Sequence, residues 1–180
     1  MCLDLYLSEL QPEEYNHLKH FIKPSKKKIM PLLSWDIYSQ YFYNQTETLR
    51  QENDIKEVKK LAKTLHWTND FDAIFHDQSF EALVITDHNK KIVWVNNGFV
   101  DMTGYPKKFA IDKTPAFLQG EGTSMDTKER IRENLQENKP FTEVIINYKK
   151  DNTPYKCEIK IVPLDSGDAI YYLALEKQVG

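Results

Sequence analysis

Hydrophobic residues change their spacing near residue 80 of this 180-residue chain. Before that point they recur every three or four positions, which places apolar side chains along one face of a helix. The clearest of these stripes predicts an amphipathic helix and consists of Ile55, Val58, Leu61, Ala62 and Leu65. The first 78 residues are therefore expected to form an all-helical extension.

Weaker helical patterns flank this stripe. Ser34 is placed to cap an earlier helix that carries Trp35, Tyr38, Tyr41 and Phe42. A polar stretch separates that helix from the stripe beginning at Ile55, so we predict two separate helices in this region. Asn69 or Asp70 is placed to cap a further short helix that ends at Phe75.

From residue 81 short β-branched and apolar runs replace the helical spacing, as is typical of strands. Five strands are predicted, at 82–86, 92–96, 141–148, 154–162 and 169–175. Polar turns after the first, third and fourth strands indicate hairpins. A short helix at 99–103, a loop at 109–120 and a helix capped by Thr123 and running to about residue 138 fill the interval. The fold class is therefore α+β, an antiparallel sheet with short helices on one face.

The composition of the chain indicates its cellular compartment and excludes some classes of binding partner. Hydrophobic residues make up 41% of the chain and aromatic residues 12%, enough for a packed core. The net charge of −3 is spread evenly, without the basic surface typical of nucleic-acid-binding proteins. No window approaches the ~18 consecutive apolar residues of a membrane span, and the N-terminus lacks a secretory signal. We expect a cytoplasmic protein with no membrane or nucleic-acid partner.

Signatures of catalysis and metal binding are missing from the sequence. Cys2 and Cys157 match neither a disulfide framework nor a zinc-binding spacing. His17 and His20 lie three residues apart on a helical pattern, but no third ligand accompanies them. There is no P-loop, dinucleotide fingerprint or nucleophile elbow. We therefore expect no metal site and no enzymatic activity.

Six short segments, in this order, together resemble the PAS domain of the LOV type over about residues 82–176. They are Ile-Thr-Asp at 85–87, Val-Asn-Asn-Gly-Phe at 95–99, Thr-Gly-Tyr at 103–105, Phe-Leu-Gln-Gly at 117–120, Ile-Arg at 131–132 and Asn-Tyr-Lys-Lys-Asp-Asn-Thr-Pro at 147–154. The resemblance implies a PAS fold, with a five-stranded antiparallel sheet and short helices on one face. The first 78 residues lie outside the resemblance. We therefore expect two domains: 1–78, a helical extension for dimerisation or output, and 79–180, a PAS/LOV-like domain.

The LOV resemblance implies a flavin mononucleotide, FMN, held between the sheet and the helices. In that family blue light drives a cysteine to form an adduct with the flavin ring. Pro115 occupies the position of this cysteine in the present chain. Since proline has no thiolate to act as nucleophile, the usual cysteinyl-flavin photocycle is excluded at this position.

Five residues at ligand-contacting positions of the resemblance are our pocket candidates: Gln119, Arg132, Asn147, Cys157 and Glu176. The resemblance implies that Gln119 contacts the ribityl chain or ring, Arg132 the phosphate and Asn147 the polar edge of the ring. Purely structural roles are the alternative. Gln119 would then hold its own loop, and Arg132 would pair with Asp126 or Glu129 on the same helix.

Three of the family's polar contacts are altered. Ala116 replaces a phosphate-binding arginine, Cys157 replaces an asparagine, and Glu176 replaces a glutamine whose amide relays the signal. An ionised carboxylate at residue 176 would accept hydrogen bonds but not donate them. Because each lost contact costs roughly 1–3 kcal/mol, the sequence favours a filled hydrophobic core over a retained ligand pocket, and FMN binding stays open.

The sequence thus predicts a non-enzymatic sensory or protein-interaction module of signal transduction. The alternatives are a noncovalent flavin-binding light or redox sensor, and a ligand-free dimerisation or partner-binding module. Because the chain ends at Gly180, we expect output through the N-terminal helices, towards an unidentified protein partner. A homodimer is expected through those helices or the sheet face. The side chains expected to pack there are Trp35, Tyr38, Phe42, Leu61 and Leu65.

Overall fold

The computed structural model describes residues 34–167 and 169–180. Cys2, His17 and His20 lie outside the described residues, as do the side chains of Trp35, Tyr38, Tyr41 and Phe42. The chain divides into two compact units, residues 1–45 and residues 46–180. The sheet and its helices belong to the second unit, and the predicted division at residue 78 stays a prediction.

Eleven elements follow one another along the described chain. They are α1 (Ser34–Leu65), α2 (Phe71–Phe75), β1 (Ala82–Thr86), β2 (Ile92–Val95), α3 (Asn97–Thr103), α4 (Lys107–Ala110), a 3₁₀ helix (Pro115–Leu118), α5 (Met125–Glu137), β3 (Phe141–Tyr148), β4 (Pro154–Asp165) and β5 (Ile170–Val179). All five predicted strands are present, with β4 and β5 extending beyond their predicted ends. The α+β class is confirmed.

The five strands form one antiparallel sheet in the order β2-β1-β5-β4-β3. β1 and β2 thus lie on one side of β5, and β4 and β3 lie on its other side. This arrangement puts β5 at the centre, where Glu176 is in register with Ala82 of β1 and Ile159 of β4. Alternate residues of each strand face opposite sides of the sheet, so the sheet has two separate cores.

The inner face of the sheet packs against α3, α4, the 3₁₀ helix and α5. Phe99 of α3 and Leu118 of the 3₁₀ helix are fully buried there against strand residues such as Val84 and Ile145. Gly98 has to be glycine, because a Cβ at this position would collide with the carbonyl oxygen of Glu81. This close approach seats α3 against the start of β1.

The outer face of the sheet is covered by α1 and the segment that follows it. Val58 and Ala62 of α1 are buried against Leu83, Leu173 and Leu175 of the sheet. Trp67, Phe71, Ile74 and Phe75 complete the same cluster. The expectation that Leu61 and Leu65 pack on the sheet fits this arrangement, since both flank the cluster as partly buried residues.

The helix α1 is one continuous helix of 32 residues, so the two helices predicted around residue 50 were wrong. The polar stretch between them contains neither proline nor glycine, and its glutamate, arginine, leucine and glutamine residues favour helix. Asp70 caps α2 as predicted, accepting hydrogen bonds from the backbone N–H groups of Asp72 and Ala73. Asn69 instead bonds to the backbone of Pro163 and Asp165.

The predicted cap of α5 needs a correction by one residue. Ser124, not Thr123, is the N-cap, and its hydroxyl accepts from the N–H of Thr127. The Thr123 hydroxyl donates to the carbonyl oxygen of Ile146 at 2.6 Å and accepts from the N–H of Gly120. Thr123 therefore ties the loop before α5 to β3, a tertiary contact that competes with capping.

Candidate functional site

A cavity of about 420 Å³ lies between the inner face of the sheet, the 3₁₀ helix and α5. Its walls are mostly apolar, and they include Leu118, Ile131, Leu135, Ile145 and Ile159. Cavities of this size and character are typical of small-molecule sites. The sequence favoured a filled core at this place, whereas the structure leaves it open.

Four of the five pocket candidates line this cavity together: Gln119, Arg132, Asn147 and Glu176. They come from the loop after the 3₁₀ helix, from α5, from β3 and from β5, so no local sequence pattern links them. Cys157 is not part of the wall, and its side chain is fully buried beside the cavity. Pro115 and Ala116 both line the cavity, which places a proline in its wall where the resemblance puts the cysteine.

Asn147 gives the cavity wall a buried amide. Asn147 is only 5% exposed and lines the cavity from β3. Its register partner on β4 is Tyr155, which is buried and does not belong to the lining of the cavity. Since an amide offers two donors and an acceptor, this wall can bind the polar edge of a planar ligand.

Glu176 contributes a carboxyl group that is 6% exposed. Burial raises the pKa of Glu176 to about 7, so a large fraction of the group is protonated at neutral pH. An ionised carboxylate only accepts hydrogen bonds, whereas the protonated acid also donates one. Glu176 thereby regains the donor of the glutamine that it replaces in the resemblance.

The sulfur of Cys157 lies 4.0 Å from Oε2 of the Glu176 carboxyl. Burial raises the pKa of the Cys157 thiol far above its usual range, and the Glu176 carboxylate would raise it further. The thiolate is the reactive form of cysteine. Cys157 therefore stays a neutral, unreactive thiol and does not replace the nucleophile that Pro115 lacks.

Three cationic side chains line the cavity: Lys90, Lys128 and Arg132. Arg132 makes no ion pair within the described part of the chain, neither with Asp126 nor with Glu129, its predicted alternative partners. The carboxylate of Glu143 is instead held by Arg130, at 3.1 Å. Arg132 is thus available to an anionic ligand.

Sequence reasoning missed the two lysines. Lys128 lies four residues before Arg132 on α5, a spacing that puts both on one helix face, so this signal was present. Lys90 belongs to the turn between β1 and β2, and its Nζ lies 4.0 Å from the ring centroid of Tyr172. Only the folded sheet brings that turn to the cavity. The two lysines supply positive charge in a wall that lacks arginine at residue 116.

Within residues 34–167 and 169–180, no helix has the length and apolar character needed to cross a bilayer. The same residues contain no cluster of three or more histidine, cysteine, aspartate or glutamate side chains arranged to hold a metal ion.

Comparison with known proteins identifies relatives of the sheet-containing region. A family model described as PAS domain matches residues 81–177. The blue-light photoreceptor of Listeria innocua serovar 6a is 35% identical over 101 residues, which cover 54% of this chain and 40% of that protein. Phototropin-1A of Oryza sativa subsp. japonica is 32% identical over 104 residues, which cover 57% of this chain and 11% of that protein. The chain thus spans less than half the length of these relatives.

Solved structures that match this chain include LOV domains. The LOV domain of the blue-light activated histidine kinase of Erythrobacter litoralis matches with a TM-score of 0.53 and 27% identity, over 57% of this chain and 98% of that domain. The light-state LOV domain of Aureochrome1 matches with a TM-score of 0.54 at 23% identity, over 57% of this chain and 84% of that one. The LOV resemblance predicted from the six segments is confirmed, as is the PAS fold.

Proposed function

Because the chain belongs to the PAS domain family, we propose that it is a sensory module that holds a flavin nucleotide noncovalently and responds to light or redox state without a cysteinyl adduct. The open cavity carries this proposal. A ligand-free interaction module would be expected to fill that space with side chains, because empty interior volume costs packing energy.

The residues of the cavity fit a flavin nucleotide in three places. Asn147 and the protonated Glu176 offer hydrogen bonds to the polar edges of the ring, while the apolar walls contact its faces. Gln119 is half-buried, and none of the described hydrogen bonds involves its side chain, so it is available to the ribityl chain. Lys128 and Arg132 offer positive charge to the phosphate. A bound flavin would supply light absorption and electron acceptance.

Glu176 is also placed to pass a change in the cavity to the outer face of the sheet. It lines the cavity from β5, and its neighbour Leu175 faces the other side of the sheet. Leu175 belongs there to the cluster that contains Val58 and Ala62 of α1. We propose that output leaves through this contact and the N-terminal helices.

The outer sheet face is largely covered by α1 and the segment after it, so we place the homodimer contact in the N-terminal helices rather than on the sheet. Light scattering of the full chain over a range of concentrations tests this. A dimer mass is expected, and a monomer mass at every concentration would contradict it. The protein partner that receives the signal is expected to bind these helices, and affinity capture with the N-terminal helices would identify it.

Absorption spectroscopy tests the flavin proposal. The purified full chain is expected to be yellow, or to become so after incubation with excess FMN and removal of free ligand, and to release the colour on heat denaturation. Asn147→Leu, which removes the polar edge contact, is expected to bind at least tenfold more weakly, while the exposed variant Glu129→Gln binds normally. A folded chain that stays colourless with excess riboflavin and FMN would refute the proposal.

A further inference from the structure

One acidic side chain stands in the wall of the cavity. Of the residues described in this lining, Glu176 alone has a carboxyl group. It lies on the central strand β5, in register with Ala82 of β1 and Ile159 of β4, so the strands on both sides fix its position. The side chain is 6% exposed, and no salt bridge joins it to a cation in residues 34–167 and 169–180.

A buried carboxyl without a counter-ion favours the neutral acid, because a charge removed from water loses its hydration energy. The thiol of Cys157, with its sulfur 4.0 Å from Oε2 of Glu176, offers only a weak donor to a carboxylate. Burial accordingly raises the pKa of Glu176 to about 7. Before a ligand binds, Glu176 is therefore a mixture of acid and carboxylate near neutral pH.

We propose that a ligand in the cavity binds Glu176 as the neutral acid, so that ligand binding above neutral pH takes up a proton. This inference rests on the proposed flavin binding and makes that binding depend on pH. Two effects act in this direction. A ring that fills the cavity replaces water beside the carboxyl, which disfavours the charged form. An acceptor atom at the ring edge receives a hydrogen bond only from the acid.

The titratable groups close to Glu176 in the sheet do not account for such a proton. Burial raises the pKa of Cys157 and Tyr155 on β4 far above neutral pH, and the charge on Glu176 raises it further. Glu81, just before β1, is exposed and contacts Glu176 through its backbone N–H. The neighbours of Glu176 in sequence and register, Lys177 and Glu158, pair with each other at 2.8 Å.

The remaining titratable side chains belong to the cavity wall, and they are Lys90, Lys128, Arg132 and Tyr172. The Tyr172 hydroxyl is engaged with Oδ1 of Asn138 at 3.0 Å. Burial is the cause of the raised pKa of Glu176, and the three cations do not offset it. Glu176 is thus the group of this wall that changes its charge near neutral pH.

The proton uptake predicts how ligand affinity depends on pH. Glu176 holds its proton more tightly in the liganded chain than in the unliganded chain. The affinity is therefore constant well below pH 7 and falls as the pH rises above about 7. With one proton taken up, the fall approaches about tenfold for each pH unit.

Riboflavin is the probe for this test, because it has no phosphate whose own ionisation would change with pH. Fluorescence titration of the full chain between pH 6 and pH 9 measures the affinity, and circular dichroism confirms folding at each pH. Binding to wild type is expected to weaken about tenfold or more between pH 7 and pH 9. Glu176→Gln, which is uncharged throughout, is expected to change less than about twofold. Glu129→Gln removes an exposed carboxylate outside the cavity and keeps the wild-type profile.

Calorimetry counts the proton directly. Titrations with riboflavin at pH 7.5, in two buffers of different ionisation enthalpy, are expected to show uptake of about one-half to one proton per ligand in wild type and none in Glu176→Gln. Infrared spectroscopy of the unliganded chain gives a readout that needs no ligand. A carboxylic acid band is expected to disappear as the pH rises through about 7 and to be missing from Glu176→Gln.

The outcomes separate this inference from the function on which it rests. Riboflavin binding with a pH-independent affinity, or with release of a proton, would overturn the proton uptake and leave the flavin module intact. An equal pH dependence in wild type and Glu176→Gln would assign the proton to another group and contradict the inference. A folded chain that binds neither riboflavin nor FMN would overturn both.

Discussion

The sulfur of Cys157 lies 4.0 Å from Oε2 of Glu176, and both side chains are buried on the inner face of the sheet. Burial raises the pKa of both groups. At neutral pH the thiol is uncharged and the carboxyl is partly protonated, so the thiol can donate weakly to the carboxyl oxygen. Cys157 and Glu176 thus form a polar pair where the LOV pattern has two amide side chains. The carboxyl group of this pair can gain or lose a charge.

The raised pKa of Glu176 predicts a pH-dependent stability. The folded state holds this proton more tightly than the unfolded chain, so the contribution is fully present below pH 4.5 and is lost as pH rises to about 7. The free energy of unfolding is expected to fall by up to about 3 kcal/mol across that window. Urea unfolding of wild type and Glu176→Gln, measured at a series of pH values, isolates the effect.

The variant Glu176→Gln is expected to lack this fall and to be more stable than wild type at pH 8. Glu129→Gln, which changes an exposed glutamate, is expected to keep the wild-type pH profile. If Glu176→Gln and wild type lose stability in parallel between pH 4.5 and 8, the carboxyl does not bear a raised pKa.

A thiol at residue 115 should restore adduct chemistry. Pro115 lines the cavity at the start of the 3₁₀ helix, so Pro115→Cys places a sulfhydryl in the wall. With flavin bound, blue light is expected to bleach the long-wavelength absorbance of this variant and not that of wild type or Pro115→Ser. Adding Cys157→Ala to Pro115→Cys should preserve the bleaching. Equal bleaching in wild type would show that another group reacts.

The cationic end of the cavity should distinguish ligands by their phosphate. Arg132→Ala is expected to weaken FMN binding at least tenfold, about 1.4 kcal/mol, and to leave riboflavin binding unchanged, because riboflavin has no phosphate. Arg130→Ala removes the same charge two residues away, from a side chain already paired with Glu143. A titration in which both variants weaken FMN equally would point to a general charge effect instead of a contact.

The polar contact between α1 and the start of α3 should contribute measurably to stability. The Asn96 amide donates a 2.8 Å hydrogen bond to Oδ2 of Asp54, while its carbonyl oxygen accepts from the N–H groups of Leu83 and Phe99. Asp54 is 8% exposed, so Asp54→Ala would leave a buried donor of Asn96 without this partner. The expected loss is about 1–3 kcal/mol in the free energy of unfolding.

Chemical denaturation of Asp54→Ala and of Glu52→Ala makes this comparison, since Glu52 is an exposed carboxylate on the same helix. Glu52→Ala is expected to change stability by less than about 0.5 kcal/mol. Equal losses in the two variants would mean that the buried hydrogen bond contributes nothing beyond helix propensity.

The strand region was predictable because each strand carries its own signal. The β-branched runs at 82–86 and 92–96 surround a polar turn, and the structure forms β1 and β2 there. The same holds for β3 and for the start of β4. Helix α1 was harder to predict. The stretch between its two apolar parts is polar, but it contains no proline or glycine to end the helix, so the helix continues through it.

The cap of α5 was predicted one residue too early. The Thr123 hydroxyl is engaged by β3, a long-range contact that the local sequence does not show.

For the candidate site, four polar side chains were predictable from the LOV resemblance in the sequence: Gln119, Arg132, Asn147 and Glu176. Three further facts follow only from the folded chain: these four side chains surround an open cavity, Cys157 is excluded from its wall, and Lys90 reaches it. The physical reason is that cavity volume, burial and the pKa of a buried carboxyl depend on residues distant in the chain. The sheet order β2-β1-β5-β4-β3 brings those residues together.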